Sequence, residues 1–331
     1  MRAVQVHTPG GPEALLQVEL PEPVAGPGEV RVRAHALGVG RPDVLIRNGT
    51  YKWMPPLPAI PGAELAGVVD QVGEGVTSLA AGMRVLVSAR DLAQRGGCYV
   101  ESIVVPADAP YLLPETVGFA DAVSLPNLQL AHALLLGLSR GRPDARSVLI
   151  TGAAGGVAGM LGQLARHHGM LAIGTARSAA KRDFALAMGF DAVLDAAASP
   201  LPAQVKALTC GQGVDLAFDP IGAQLFTDCL HCLAPLGTAV SYNIVAGMPA
   251  EDVFKTLRSL LGRSLAVRCF SMHTFDEDRA RRRSLMESAI ALMAAGHVKA
   301  PPTQLLPMAD VREAHKLLDD GQTMGKIVMQ P

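Results

Sequence analysis

An α/β chain of two domains is what this sequence predicts, and three observations carry the prediction. The first is a strand–turn–helix–strand unit over residues 147–181. The second is a series of short β-rich runs before it, and the third is a regular alternation of strand and helix after it. Together they describe an all-β unit joined to a doubly wound parallel sheet. At 331 residues, with 49% hydrophobic and 18% charged, the chain is long enough for two cores of ordinary size.

In chain order, residues 2–7, 30–36, 65–72, 84–87 and 99–105 are β-rich runs, separated by G-G-P, P-G-E, P-G-A-E, G-E-G-V and A-A-G-M. From about Ala120 the pattern changes. Strands are expected at 148–152, 171–176, 191–195, 214–219 and 238–243, with helices between them, which implies a parallel sheet. Beyond Leu265 come one more strand-like run, a long helix over 278–295, a helix over 310–320 and a final strand over 326–330. There is no internal repeat.

Composition narrows the function classes. A net charge of −1 leaves no basic footprint and 4% aromatic residues leave few stacking platforms, so nucleic acid is not expected as a partner. Gly, Pro or a charge interrupts every apolar run before the ~20 residues a membrane helix needs, and residues 1–10 lack a signal-peptide core. A cytoplasmic protein with no membrane partner is expected. Cys98, Cys210, Cys229, Cys232 and Cys269 are too sparse, and odd in number, for a disulfide framework. Cys229 and Cys232 form C-x-x-C, a redox or zinc half-site in one reading. They lie in a helical segment with no second pair, where free cysteines pack as small hydrophobes.

The segment 147–181 is the most informative. Residues 148–151 are a β run, 152–156 supply a tight turn, 157–168 carry Leu and Met at helical spacing, and 171–176 form the next strand. Ala154, Gly155, Gly156, Val157, Ala158 and Gly159 fit the dinucleotide-binding fingerprint in one register, with Gly155 and Gly156 in the turn and Ala158 as the third small residue. Small residues let the backbone approach a pyrophosphate, whose charge meets the free N–H groups and positive end of the helix. A glycine turn that binds nothing is the alternative, and the strand–turn–helix–strand context favours the nucleotide.

The end of the second strand selects the cofactor. NAD sites place Asp or Glu about 20 residues past the glycines for the ribose 2′-OH, whereas a basic residue accommodates a 2′-phosphate. Here Thr175-Ala176-Arg177-Ser178 is followed by Lys181, with no acid until Asp183. NADPH is therefore expected, with Arg177, Ser178 and Lys181 at its 2′-phosphate; the alternative is a solvated helix start.

Several segments resemble the medium-chain dehydrogenase/reductase superfamily, in its zinc-independent quinone oxidoreductase and ζ-crystallin branch. They are G-V-G-R-P-D-V-L-I-R-N-G-T-Y (38–51), I-P-G-A-E-L-A-G-V-V-D-Q-V-G-E-G-V (60–76), G-A-A-G-G-V-A-G (152–159), L-T-C-G-Q-G-V-D-L-A-F-D-P-I-G (208–222) and G-K-I-V (325–328), and they span nearly the whole chain. The resemblance implies a GroES-like substrate domain over 1–123 and 264–331, a Rossmann domain over 124–263, and substrate in the cleft where they meet. Zinc-bearing relatives carry a Cys three residues before the first motif's Asp and G-H-E in the second motif. This chain has Gly40 ahead of Asp43, and Ala63 between Gly62 and Glu64, so no metal is expected. Gly40 also replaces the branch's usual Asn, and Ala131 its usual Thr, near the nicotinamide side of the cleft.

The resemblance places Tyr51 at the substrate cleft, as hydrogen-bond or proton donor to an acceptor, with half-buried packing as the other reading. His132, on an apolar helix, is either an acid/base group or a bonded structural histidine. Asp43 is expected to fix its loop and to be kept ionised by Arg41 and Arg47. Asn243 and Tyr242, after the fifth strand of the Rossmann domain, contact nicotinamide ribose or substrate, or else make a turn. Lys326 is a further candidate for the 2′-phosphate. The function expected is NADPH-dependent hydride transfer, without zinc, to a quinone or an activated alkene, a small-molecule electron acceptor. An enoyl-thioester reductase and a non-catalytic NADPH-binding protein are the alternatives. A homodimer is expected.

Overall fold

The structure is a computed structural model and describes residues 1–139 and 144–331. Its backbone gathers into two units, Met1–Pro126 with Ala300–Pro331, and Asn127–Lys299.

Unit one opens with β1 (Arg2–Val6) and β2 (Leu15–Glu19), an antiparallel pair running from Arg2↔Glu19 to Val6↔Leu15. There follow β3 (Glu29–Val39), α1 (Arg41–Arg47), β4 (Glu64–Val72), β5 (Arg84–Ser88), β6 (Ser102–Pro106), β7 (Tyr111–Leu112) and α2 (Phe119–Ala122). The longest of them, β3, shows how sequence sets face. Val30, Val32 and Ala34 alternate into the core, while Arg31 and Arg33 turn outward and share Asp70 of β4, at 2.8 and 3.0 Å. The motif at 38–51, expected as a loop, contains a helix: Pro42 suits a first turn, and Asp43 Oδ2 accepts from Gly40 N at 2.8 Å to cap it.

Unit two carries α3 (Leu125–Ser139), which begins just before the unit boundary, then β8 (Ser147–Ile150), α4 (Gly156–His167), β9 (Leu171–Thr175), α5 (Ala179–Ala187), β10 (Ala192–Leu194), α6 (Leu201–Leu208), β11 (Val214–Asp219), α7 (Ala223–Cys232), β12 (Leu233–Ser241), α8 (Val253–Ser259), β13 (Ala266–Cys269) and α9 (Arg279–Ala294). Every pairing in its sheet is parallel, in the order β10-β9-β8-β11-β12-β13. Numbered within the unit, that order is 3-2-1-4-5-6, the doubly wound arrangement whose winding reverses between β8 and β11. All four residues of β8 are buried, as a central parallel strand covered on both faces requires. Leu149, Ile173, Val214, Ala217, Phe226 and Leu230 form the core below α7.

The chain then returns to unit one through β14 (Thr303–Pro307), α10 (Val311–Asp319) and β15 (Lys326–Gln330). β15 runs antiparallel to β3, with Ile327 opposite Val39, and extends the sheet to β14-β15-β3-β4-β5-β7. The return differs from the boundary expected at 264. Residues 264–299 stay with unit two because β13 pairs with β12, Thr238↔Ala266 to Ser241↔Cys269, and Met272 and Leu285 pack on Ala133 of α3.

Candidate active site and cofactor residues

The turn after β8 is held from both sides. Gly152 lies at φ +64°, where glycine is favoured, Ala153 N donates to Thr175 O at 2.9 Å, and Gly155 N donates to Gly152 O at 2.9 Å. Gly155 then caps α4 without any side-chain bond, and the first amide to reach back is Gly159 N, to Gly155 O at 2.8 Å. The N–H groups of Gly156, Val157 and Ala158 thus have no partner within the helix, and the positive end of α4 lies at the carboxyl edge of the sheet. That is the donor set an anion needs. Across the switch point, Thr151 Oγ1 donates to Asp219 Oδ1 and Gly222 N donates to Asp219 Oδ2 at 2.6 Å. Burial raises the Asp219 carboxyl. Neither Thr151 nor Asp219 was singled out from sequence, although D-P-I-G stood among the motif residues.

Close packing behind the turn needs glycine at positions outside the fingerprint. A methyl added at Gly162 would lie 2.6 Å from Phe190 Cζ, and one at Gly174 would lie 2.6 Å from Ala153 Cβ. These contacts let α4 sit against β9 and bring the turn to the sheet edge.

At the end of β9, Arg177 is exposed and Ser178 caps α5, its Oγ accepting from Lys181 N at 3.3 Å. Lys181 is half-buried. Its neighbour Arg182 is engaged elsewhere: Nη1 lies 2.8 Å from Asp195 Oδ2 and 3.1 Å from Arg177 O. The strand end therefore presents Thr175, Ala176 and an exposed guanidinium, with no carboxylate of its own. Open amides of α4 together with Arg177 fit a dinucleotide that carries a 2′-phosphate.

After β12, Asn243 is exposed and its Oδ1 accepts from Ile244 N at 2.8 Å, while Ser241 Oγ donates to Asn243 O at 3.2 Å. Its carbonyl oxygen serves the turn, leaving the amide N–H group for a ligand. The Tyr242 hydroxyl is buried without a hydrogen-bond partner among the described residues, and burial, then Asp219, raises its phenol.

His132 lies on α3 and is buried, its ring bonded to the Leu285 backbone and its Nδ1 without a partner. Burial first and His168 second lower its basicity. His168 caps the far end of α4, about 18 Å along the helix from the phosphate turn. That placement favours the structural reading. Cys229 and Cys232 are likewise buried in α7, and among the described residues no group of three or more His, Cys, Asp or Glu is placed to hold a metal ion.

In unit one, Tyr51 follows α1, its N donating to Leu45 O at 3.1 Å and its half-buried ring lying edge-on to Trp53 at 5.8 Å. Asp43 is fully buried, accepting from Gly40 N at 2.8 Å and from Gly62 N at 3.1 Å. Its carboxyl is pushed up to about 7, by burial first and the Glu64 carboxylate second. This corrects the expectation that Arg41 and Arg47 keep it ionised. Arg47 turns instead to Asp319 at 2.8 Å and Asn48 at 2.8 Å, and the cation that acts on Asp43 is Lys326. Lys326 also departs from its expected place at the 2′-phosphate. It is buried, with Nζ 3.1 Å from Glu64 Oε2, because β15 lies beside β3 and brings it to Gly38 and Gly40.

Two family models match the chain, an alcohol dehydrogenase GroES-like domain over residues 26–115 and a zinc-binding dehydrogenase over residues 188–329. Among curated relatives, the Mus musculus synaptic vesicle membrane protein VAT-1 homolog is 32% identical over 93% of this chain and 78% of its own length. A quinone oxidoreductase of Salmonella typhimurium is 31% identical over 99% of both chains. A 2-haloacrylate reductase of a Burkholderia species is 30% identical over 99% of this chain and 98% of its own. Among solved structures, Escherichia coli quinone oxidoreductase complexed with NADPH superposes with a TM-score of 0.85 at 28% identity, covering 100% of each chain.

Proposed function

The chain belongs to the medium-chain dehydrogenase/reductase superfamily, in its quinone oxidoreductase branch, and on that premise we propose that it is a cytoplasmic, zinc-independent, NADPH-dependent reductase of quinones or activated alkenes. The observation that carries the proposal is the pairing of unbonded first-turn amides on α4 with an acid-free, arginine-bearing end of β9. Gly156, Val157 and Ala158 hold the pyrophosphate, Arg177 with Ser178 and Lys181 holds the 2′-phosphate, and Asn243 offers its amide on the nicotinamide side. The bound nucleotide supplies the hydride.

Everything else falls to the chain's own residues. With Gly40 and Ala63 where zinc ligands would stand, no side chain at those positions can place a Lewis acid on a carbonyl, so the acceptor must already be electron-poor. Quinones, enones and 2-haloacrylates meet that condition. Tyr51 donates to the acceptor oxygen and supplies the proton that must follow hydride addition to an alkene. His132 and Lys326 take no part at the reacting atoms.

Steady-state oxidation of NADPH and of NADH, against a panel of quinones, enones, 2-haloacrylates and crotonyl thioesters, tests the proposal. Turnover with NADPH on quinones or activated acids and ketones, undiminished by EDTA or phenanthroline, is the expected result. Turnover of thioesters alone would make the chain an enoyl-thioester reductase, and NADPH binding with no turnover would make it a non-catalytic binder. We propose a homodimer, for which the outer edge of β13 offers an unpaired strand among the described residues; sedimentation at micromolar concentration checks it.

A further inference from the structure

Unit one buries two carboxylates and one ammonium together, and the proposed reaction uses none of the three. Asp43 is 0%, Lys326 5% and Glu64 6% exposed. Lys326 Nζ lies 3.1 Å from Glu64 Oε2. A methyl added at Gly40 would lie 3.9 Å from that Nζ, and one at Gly38 would lie 3.2 Å from Lys326 Cε. The Glu64–Lys326 pair therefore occupies space that a side chain at Gly38 would contest, and the ammonium lies beside Gly40. Its position is set by the register of β15 on β3, Ile327 opposite Val39. Asp43 spends its two oxygens on the amides of Gly40 and Gly62, at 2.8 and 3.1 Å, and so ties the start of α1 to the turn before β4.

The remaining groups around Asp43 carry no positive charge to it. Tyr99 offers a phenol hydrogen bond, and Cys98 a buried thiol. His315 bonds the Tyr99 hydroxyl at 3.1 Å and is neutral, its basicity lowered by burial, and Arg47 pairs with Asp319.

We infer that Lys326 is a positioning residue, the fixed cation that pairs with Glu64 and so lets Asp43 keep its grip on the amides of Gly40 and Gly62, beside the two positions, Gly40 and Ala63, where zinc-bearing relatives keep metal ligands. Two carboxylates buried side by side cannot both stay ionised without such a partner. If Asp43 takes up a proton, the carboxyl loses its charge and the protonated oxygen becomes a donor and a poorer acceptor, so the grip on Gly40 or on Gly62 weakens. α1 carries the next step, because Leu45 O receives Tyr51 N at 3.1 Å. Lys326 thus acts on the site through Asp43 and Tyr51. Only that catalytic consequence rests on the proposed function, since the state of the carboxyls is a property of the resting protein.

The test follows the infrared carbonyl band of protonated buried carboxyls against pH in the native protein, Lys326→Met and Lys326→Arg. In the native protein the band should fade as pH rises through about 7. In Lys326→Met it should persist to a roughly tenfold or more lower proton concentration, and Lys326→Arg should restore the native behaviour. If Lys326→Met titrates like the native protein, the inference is overturned. Should Lys326→Met fail to fold, Lys326→Met with Glu64→Gln removes one charge of each sign. Recovery of the fold, with Asp43 titrating near the native value, supports the charge role; continued failure to fold assigns Lys326 to packing and overturns it. The acid limb of kcat/KM for the best acceptor should rise in Lys326→Met and return in Lys326→Arg. Absence of any turnover in the native protein would reject the proposed function while leaving the infrared result to decide this one.

Discussion

His315 is buried at 0% exposure, with Nδ1 3.4 Å from Arg47 Nη1 and Nε2 3.1 Å from the Tyr99 hydroxyl. Arginine can only donate, so Nδ1 accepts and Nε2 carries the hydrogen toward Tyr99. Burial first and Arg47 second push the ring's pKa down to about 3 from 6.5. A basic group with a depressed folded pKa contributes stability that is present above its unfolded pKa and lost as pH falls toward the folded one, here from about 6.5 toward about 3. Asp43 has the opposite sign: its carboxyl, raised from 3.8 to about 7, stabilises at low pH and gives that up as pH rises through the window. Comparing the native protein with His315→Gln cancels the Asp43 part, which both share. Between pH of about 7 and about 4 the native melting temperature should fall further than that of the variant, and parallel curves would show that His315 does not titrate on unfolding. Tyr51→Phe should lower enone turnover by ~10²–10⁴-fold, because the developing enolate needs a donor. Quinone turnover should change little, since an aromatic product anion takes its proton from water; no change with either acceptor would make Tyr51 a packing partner of Trp53. The place of Arg177 and Ser178 after a strand and before a helix was legible in the sequence, because it rests on local signals alone. Glu64 and Lys326 were not, since their partnership joins residues 262 apart and appears only when β15 lies on β3.

The β8–α4–β9 unit was the most legible element because each of its signals is local: a β run, a glycine turn and apolar residues at helical spacing. What the sequence left hidden was which glycines serve packing and which serve the ligand. Gly155 has φ −78°, which any residue adopts, and a methyl there would meet only Gly152 O, at 3.2 Å. Gly162 faces Phe190, which is 4% exposed, with no room for a methyl. The two should therefore separate on substitution. Gly162→Ala should destabilise the folded protein by about 1–3 kcal/mol, read from unfolding in denaturant, an effect that Phe190→Leu relieves. Gly155→Val should keep most of the native stability but lose NADPH binding, because its branched side chain enters the space where the backbone meets a pyrophosphate. A Gly155→Val variant that folds and still binds NADPH would show that the fingerprint lies in another register. The helix missed in the first motif, α1, is short, and its Gly40–Arg41–Pro42 start reads as a turn until Asp43 is seen to cap it.

At the scale of the whole chain, the change from short β runs to alternating helix and strand is a local signal of two units. The second boundary was hidden, because whether 264–299 joins one sheet or the other depends on which strand edge β13 meets, and its four residues carry no signal of the partner. Binding of nucleotide should act on the stability of unit two as a whole, since a ligand that binds only the folded state stabilises it by RT ln(1 + [L]/Kd), about 2.7 kcal/mol at a hundredfold excess over Kd. This converts the choice of cofactor into a melting temperature. Charge-assisted bonds from Arg177 to a 2′-phosphate are worth about 1.5–3 kcal/mol when well formed, so at equal concentration NADPH should raise the melting temperature more than NADH does. Arg177→Ala should remove most of the difference, and Arg177→Asp should reverse it by restoring the acid that a ribose 2′-OH prefers. Because Arg177 is exposed, added salt should weaken the NADPH preference without touching the pyrophosphate contacts of α4 as strongly. Equal shifts by NADPH and NADH in the native protein, or an Arg177→Asp variant with the native preference, would place the discrimination elsewhere than at the end of β9.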